Sequence, residues 1–263
     1  MQQITSKENT IIKHVIKLKE KKYRTEYNEF TIEGAKIVKE AIEENANIKS
    51  IIISEEALNS ELVEKQLKDI IKTENYILIP NNIFKLISDV ERPQGVLAVI
   101  EKSDENKKID FLADIILILD GIQDPGNLGT IIRTADSVGL KQILVSKGTA
   151  DAYNPKVIRS TMGAISRVNI IEIENLKNSI EEIKENNFKI ITTSLQTEKS
   201  IYDIKLNKTA IIIGNEANGV SKEIKKLADI NAIIPMKGKT ESLNASVATG
   251  VILYEYLRQS MYK

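Results

Sequence analysis

The sequence contains no cysteine and a single histidine, and these two absences exclude whole classes of chemistry. Without cysteine there is no disulfide framework, no thiolate nucleophile and no zinc site built on sulfur. With His14 alone, a Ser-His-Asp hydrolase has no histidine outside the N-terminal segment and a His-ligated metal lacks its ligands, so no metal is expected. Net charge is absent as well: 37 basic residues stand against 37 acidic ones, which is not the composition of a globally cationic nucleic-acid binder. No apolar run approaches the ~18 residues that span a bilayer, and "MQQITSKENTIIKHVIKLKEKK" lacks the apolar core of a signal peptide. A cytoplasmic protein with no membrane partner is the expectation.

Two nucleotide-binding motifs fail on spacing. The Gly-Lys-Thr at 238–240 would be a phosphate loop only with a glycine five residues before Gly238, and that position is Ile233. No G-x-G-x-x-G occurs, since "DPGNLGT" spaces its glycines differently.

What is present is a chain of 263 residues, 42% hydrophobic and 28% charged, long enough for two domains. Its charge is uneven. Residues 1–24 hold Lys7, Lys13, Lys17, Lys19, Lys21, Lys22 and Arg24 against only Glu8 and Glu20. A local basic helix can bind phosphates even when the whole chain is neutral. The same stretch also reads as the solvated face of an amphipathic helix with Ile11, Ile12, Val15, Ile16 and Leu18 as its buried stripe, and the two readings are compatible. Tyr23, Tyr27 and Phe30 follow, as base-stacking rings or as core.

From Phe30 onward, short β-branched runs alternate with helical periods, the pattern of α/β units. "GAKIVKEAIEENA", "SELVEKQLKDIIK", "GNLGTIIRTADSVG", "PKVIRSTMGAIS", "LKNSIEEIKENN" and "SKEIKKLA" read as helices; "IKSIIISEE", "NYILIP", "GVLAVI", "IILILD", "QILVS", "KIITTSL", "TAIIIG" and "NAIIP" read as strands. "EKSDENKKIDFLAD", with eight charged residues, interrupts the pattern and reads as a linker. Alternation of this kind implies a mostly parallel sheet covered on both faces, with ligands beyond the carboxyl ends of its strands.

Three of those strand ends run into polar, glycine-bearing loops: "LILDGIQDPGNLGTIIRTAD", "IIIGNEANGVSKEI" and "IIPMKGKTESLNASVATG". Glycine permits close backbone approach, and Asn, Glu and Ser offer directed hydrogen bonds. Each alone is ordinary turn chemistry. Together they resemble the three signature motifs of the SpoU/TrmH family of S-adenosylmethionine-dependent RNA ribose 2′-O-methyltransferases, in the SPOUT superfamily. "EFTIEGAKIVKEAI" and "ISDVERPQGVLAVI" resemble that family's L30e-like substrate-binding domain, and "NPKVIRSTMGAISRV" resembles its catalytic segment between the first two motifs.

The resemblance implies an α/β fold in two parts. Residues 1–104 are an L30e-like RNA substrate-binding domain, and residues 105–263 a SPOUT parallel-sheet domain with a deep trefoil knot that holds S-adenosylmethionine. It implies cofactor contacts from Leu195, Ile213, Gly214, Ile234, Pro235, Met236 and Leu243, and catalytic roles for Arg133, Asn127, Glu216, Ser242 and Asn244. A guanidinium stays protonated in proteins, so Arg133 is expected to anchor an RNA phosphate and stabilise the developing alkoxide, with phosphate or water taking the proton. Arg24, Arg159 and Lys237 are the expected RNA contacts. The family works as a homodimer whose sites draw on both subunits, and Val247, Val251, Tyr254 and Leu257 on the last helix are the interface candidates. The implied substrate is RNA, 23S ribosomal RNA ahead of transfer RNA. A silent RNA-binding homologue and a base-modifying SPOUT enzyme are the competing readings.

Overall fold

The computed structural model describes residues 1–102 and 108–261. The expected domain boundary at 104/105 and the middle of the expected linker lie outside the described residues. The chain forms two compact units, one of residues 1–102 with Tyr153–Ser166, the other of residues 108–152 and 167–261.

The first unit begins with β1 (Gln2–Gln3), α1 (Thr10–Lys17), α2 (Lys21–Glu26), β2 (Glu29–Glu33), α3 (Ala35–Glu43) and β3 (Ile48–Ser54). It continues through α4 (Glu55–Leu58), α5 (Glu61–Lys72), β4 (Ile77–Ile79), α6 (Asn81–Ile87) and β5 (Val96–Glu101). Local chemistry starts the helices: the Asn9 side chain accepts from Ile11 N at the head of α1, and Ser60 accepts from Val63 N at the head of α5. The strands order as β1-β4-β3-β5-β2, and β5 runs antiparallel to both β2 and β3, so this sheet is mixed. Ile12, Val15 and Leu18 of the expected amphipathic stripe are fully buried in its core with Ile52, Ile79 and Phe84, whereas Ile16 is exposed.

The second unit holds β6 (Ile115–Asp120), α7 (Pro125–Ser137) and β7 (Gln142–Ser146). The chain then passes through α8 (Pro155–Thr161), which belongs to the first unit, and returns. It goes on to β8 (Asn169–Ile173), α9 (Leu176–Glu185), β9 (Lys189–Thr193), β10 (Thr209–Gly214), α10 (Lys222–Leu227), β11 (Ile230–Ala232) and α11 (Ala245–Met261). All six strands are parallel, in the order β11-β9-β10-β6-β7-β8. Continuous apolar runs such as "IILILD" and "TAIIIG" are what a sheet buried on both faces requires. Ile116, Ile118, Leu144, Ile190, Ala210 and Ile212 form its core with Ile180 and Ile183 of α9.

Tyr153–Ser166, which includes α8, groups with the first unit by its packing. Tyr153 packs its ring on Phe30 of β2 (centroids 4.8 Å apart), Lys102 lies over the other partner of that pair, Tyr153, at 4.7 Å, and Val157 and Ile158 are buried. Apolar side chains group with the core that buries them, whatever their position in the chain. The helix is also shorter than "PKVIRSTMGAIS" suggests, because Met162 adopts a left-handed conformation (φ 49°) that ends it.

Candidate active site

The functional loops lie beyond the carboxyl ends of β6, β10, β9 and β11, where the register pairs Gly214 with Asp120 and Ala232 with Thr193. The sheet grows from β6 through β7 to β8 on one side, then restarts on the other with β9 and β10, so the β10–β6 junction is a switch point of the kind that opens a crevice. Glycine lets the loops close in. Gly214 ends β10 so tightly under its own loop that a Cβ there would stand 2.2 Å from Val220 N and 2.3 Å from Gly219 C.

Three side chains tie the loops together. Glu216 accepts hydrogen bonds from Asn127 Nδ2 (2.9 Å) and from the main-chain N–H groups of Gln123 (3.2 Å) and Asp124 (3.3 Å). Asn244 Nδ2 donates to Asn127 Oδ1 at 2.9 Å, so Asn127 is bonded on both faces of its amide. The Asn244 Oδ1 meanwhile accepts from Ser246 N and Val247 N and caps α11. At the head of α7, Asp124 accepts from Asn127 N (2.8 Å), with Pro125 at the first helical position, where its missing N–H costs nothing.

Asn215, which the sequence reading passed over, holds the β10 loop to the β6 loop. Its Nδ2 donates to Gly121 O (2.8 Å) and its Oδ1 accepts from Ala217 N and Asn218 N. The signal was there in "GNEANG": an asparagine at a strand end commonly hydrogen-bonds its own backbone two residues on.

These loops frame a cleft of about 560 Å³. Of the expected cofactor contacts, Leu195, Ile213, Gly214, Ile234, Met236 and Leu243 line it, and Pro235 does not, though it lies between two that do. Leu195 is 57% exposed and gives the cleft an apolar wall. Apolar walls, a glycine at a strand end and a rim of amides make a chemical fit to an adenosine ring and ribose. Of the expected catalytic residues, Glu216, Ser242 and Asn244 line the cleft, and Asn127 joins it through its bonds to two of them. Arg133 does not line it: it lies exposed on α7, with no hydrogen-bond or ion-pair partner among the described residues.

The three expected RNA contacts divide. Lys237, beside the cleft, and Arg159, on α8, are exposed. Arg24 is a correction: it is 2% exposed, and its Nη1 donates to the carbonyls of Leu18 (2.8 Å) and Lys19 (2.7 Å), so it fastens α1 to α2 and offers no phosphate-binding surface. A guanidinium satisfies several carbonyls that a helix end leaves open, a role its position within a basic run cannot reveal.

Burial pushes the Glu216 carboxyl up, but the Asn127 amide and the N–H groups of Gln123 and Asp124 more than offset this and hold it below its usual value of 4.5. A carboxyl lowered on folding contributes stability that is complete above its unfolded value and is lost as the pH falls through the folded one. Glu216→Gln puts an amide where Asn127 donates, so the variant is expected to melt below the wild type at neutral pH. The gap should close as the pH falls below about 4.5. A gap in melting temperature that stays constant from neutral pH down to about pH 4 would contradict this assignment.

Comparison with known proteins agrees with this geometry. Residues 114–254 match the family model described as the SpoU rRNA Methylase family. The chain belongs to that family. Residues 9–98 match a second model, the MRM3-like substrate binding domain, so the two matches fall on the two sheets of this SpoU methylase. It is 34% identical over 97% of its length to 98% of the 23S rRNA (guanosine(2553)-2'-O)-methyltransferase RlmP of Bacillus subtilis (strain 168). A crystal structure of an RNA 2'-O ribose methyltransferase superposes with a TM-score of 0.83 at 28% identity, covering 99% of this chain and 100% of that one. An AdoMet-bound rRNA methyltransferase from Sinorhizobium meliloti gives 0.83 at 28% identity, with 98% of this SpoU chain and 97% of that one covered. Among the described residues, no helix is long and apolar enough to cross a membrane.

Proposed function

We propose that this protein methylates a ribose 2′-hydroxyl of 23S ribosomal RNA with S-adenosylmethionine, and that it does so as a homodimer in the cytoplasm. The observation that carries the reading is the Asn244–Asn127–Glu216 chain of hydrogen bonds, which locks the three motif loops around one cleft. The relative acting on 23S rRNA, similar across nearly the whole chain, supports the choice of RNA. In this reading the first unit binds substrate and the second is catalytic. The knot implied by the family belongs to the second, whose last strand lies at the sheet edge beside β9 while α11 returns to α7.

When bound, the cofactor supplies a methyl group on a sulfonium. Leu195, Ile213, Ile234, Met236 and Leu243, which line the cleft, would wall its adenosine, and main-chain groups at Gly214, Met236 and Leu243 would address base and ribose. Ser242 and Asn127 orient the ribose hydroxyl. Glu216 accepts three hydrogen bonds as a lowered carboxylate; it fixes the loops and is not the base. The ribose hydroxyl, on taking up that methyl group, would give its proton to RNA phosphate or water. Arg133, with no partner among the described residues of its own chain, reaches the other protomer's cleft, holds a flanking phosphate and stabilises the developing alkoxide. Lys237 and Arg159 contact RNA phosphates. The dimer face is α11, where Val247 (52% exposed), Tyr254 (53%) and Met261 (69%) leave a broad apolar surface open beside the half-buried Val251 and Leu257.

Labelled methyl transfer to unmodified 23S rRNA and to bulk tRNA, followed by alkaline hydrolysis, tests the reading. Label in alkali-resistant dinucleotides from 23S rRNA is expected, because a 2′-O-methyl blocks cleavage at its own linkage. Label released as mononucleotides would place the methyl on a base, and label confined to tRNA would move the substrate.

A further inference from the structure

The basic N-terminal segment separates into two sets of cations once folded. Lys13 pairs with Glu8 (2.5 Å). Lys19 donates to the carbonyls of Leu86 (3.1 Å) and Ser88 (2.8 Å) and pairs with Asp89 (3.3 Å). Arg24 is buried. Lys7, Lys17, Lys21 and Lys22 remain exposed, with no ion-pair partner among the described residues. Two of these converge on one ring: Lys17 Nζ and Lys22 Nζ lie 5.2 and 5.4 Å from the centroid of Tyr23.

Tyr23 heads a short ladder of rings. It stacks on Tyr27 at 6.0 Å with an interplanar angle of 12°, and Tyr27 meets His14 at 4.7 Å. His14 Nε2 in turn donates to Glu29 Oε2 at 2.5 Å, which pins the foot of the ladder to β2. Phe30, the third aromatic of the segment, is 4% exposed and belongs to the core. Tyr23 differs from it, being only half-buried, with the ammonium groups of Lys17 and Lys22 over its ring. A ring stacked on a second ring, with two ammonium groups over it that a base can displace toward its own phosphates, meets both needs of a single-stranded nucleic-acid site: a flat π-face for a base and positive charge for the phosphates on either side of it.

We propose that Tyr23, backed by Tyr27 and flanked by Lys17 and Lys22, is a stacking platform for an unpaired base of the substrate RNA, with the two lysines on the neighbouring phosphates. The proposal rests on the RNA-methyltransferase reading and deepens it. It assigns the platform to RNA capture and gives it no part in the transfer step.

The test uses the full chain, an unmodified 23S rRNA transcript and a short oligoadenylate as probes. Equilibrium binding is measured over a range of salt concentrations beside the kcat and KM for RNA and the affinity for S-adenosylmethionine. Tyr23→Ala and Tyr23→Leu are expected to weaken RNA binding roughly 5- to 100-fold and to raise KM, with kcat and cofactor affinity unchanged. Tyr23→Phe is expected to bind like the wild type. Doubly substituted Lys17→Ala/Lys22→Ala should lower the slope of log affinity against log salt by about 1.5, a change Tyr23→Leu does not make. Tyr23→Leu supplies apolar bulk without an aromatic face, so wild-type RNA binding by it would reduce Tyr23 to a packing residue and overturn the proposal. An unchanged salt slope in the lysine pair would overturn the phosphate contacts. If the wild type binds both probes but transfers no methyl, the functional reading fails while the platform is still tested by the same binding curves.

Discussion

Replacing Gly214 with alanine is expected to abolish S-adenosylmethionine binding and to lower the melting temperature of the protein. The added methyl would lie 2.2 Å from Val220 N, 2.3 Å from Gly219 C and 2.7 Å from Gly219 O. All three are backbone, with no flexible side-chain end to swing away. The loop must therefore move, and it is held where it is by Gly219 N donating to Asn215 O (2.8 Å) and by Asn215 Nδ2 donating to Gly121 O (2.8 Å). Displacing it carries Glu216 off Asn127, Gln123 and Asp124 at once. Overpacking of this kind costs about 3 kcal/mol, a fall in melting temperature of roughly 6–12 °C for a protein of this size. Calorimetric titration with S-adenosylmethionine and a melting scan check both parts. Wild-type affinity in the variant would mean that the close approach at Gly214 does not shape the cleft.

The second large effect concerns Arg133. Arg133→Ala is expected to lower kcat/KM by about 10²–10³, the usual loss when a preorganised cation facing a developing oxyanion is removed. It should leave the melting temperature and the cofactor affinity unchanged, since Arg133 is exposed, partnerless among the described residues and outside the cleft. The homodimer reading adds a sharper outcome. In a two-fold dimer where each site combines one chain's cleft with the other chain's arginine, co-expression of Arg133→Ala with Glu216→Ala yields hybrids with one complete site. Such mixtures should recover roughly a quarter of wild-type activity, from random pairing about a two-fold axis. Activity no higher than the average of the two variants alone would place Arg133 in the service of its own chain's cleft, or outside the reaction.

Most of the secondary structure follows from short-range pattern. "IILILD", "QILVS" and "TAIIIG" are strands over the residues read from the sequence, because a β-branched run between turn formers has few other stable states. The start of α5 was legible at Ser60, whose side chain caps it, and that of α7 to within a residue or two of Pro125, although its cap, Asp124, was not named. The three motif loops were legible too, as glycine and amide residues following apolar strands. Their joining was not: residues 127, 216 and 244 lie far apart in the chain, after β6, β10 and β11, and only the parallel order β11-β9-β10-β6 brings those strand ends to one edge of the sheet.

Elsewhere the tertiary structure overruled the pattern. Arg24 stands in a basic run that reads as surface, yet the junction of α1 and α2 leaves carbonyls that only a buried donor can satisfy. Tyr153–Ser166 continues the second unit in sequence but is buried with the first, because Tyr153 finds its partner in Phe30. The first sheet is mixed because β5 lies between β2 and β3, an arrangement that its apolar run "VLAVIE" permits without specifying. By itself the sequence determined what depends on neighbours along the chain: the helices, the strands, the caps and the chemistry available in each loop. Which of those groups meet, which cations stay free and where the cleft opens depend on contacts between distant segments, and those only the folded chain decides.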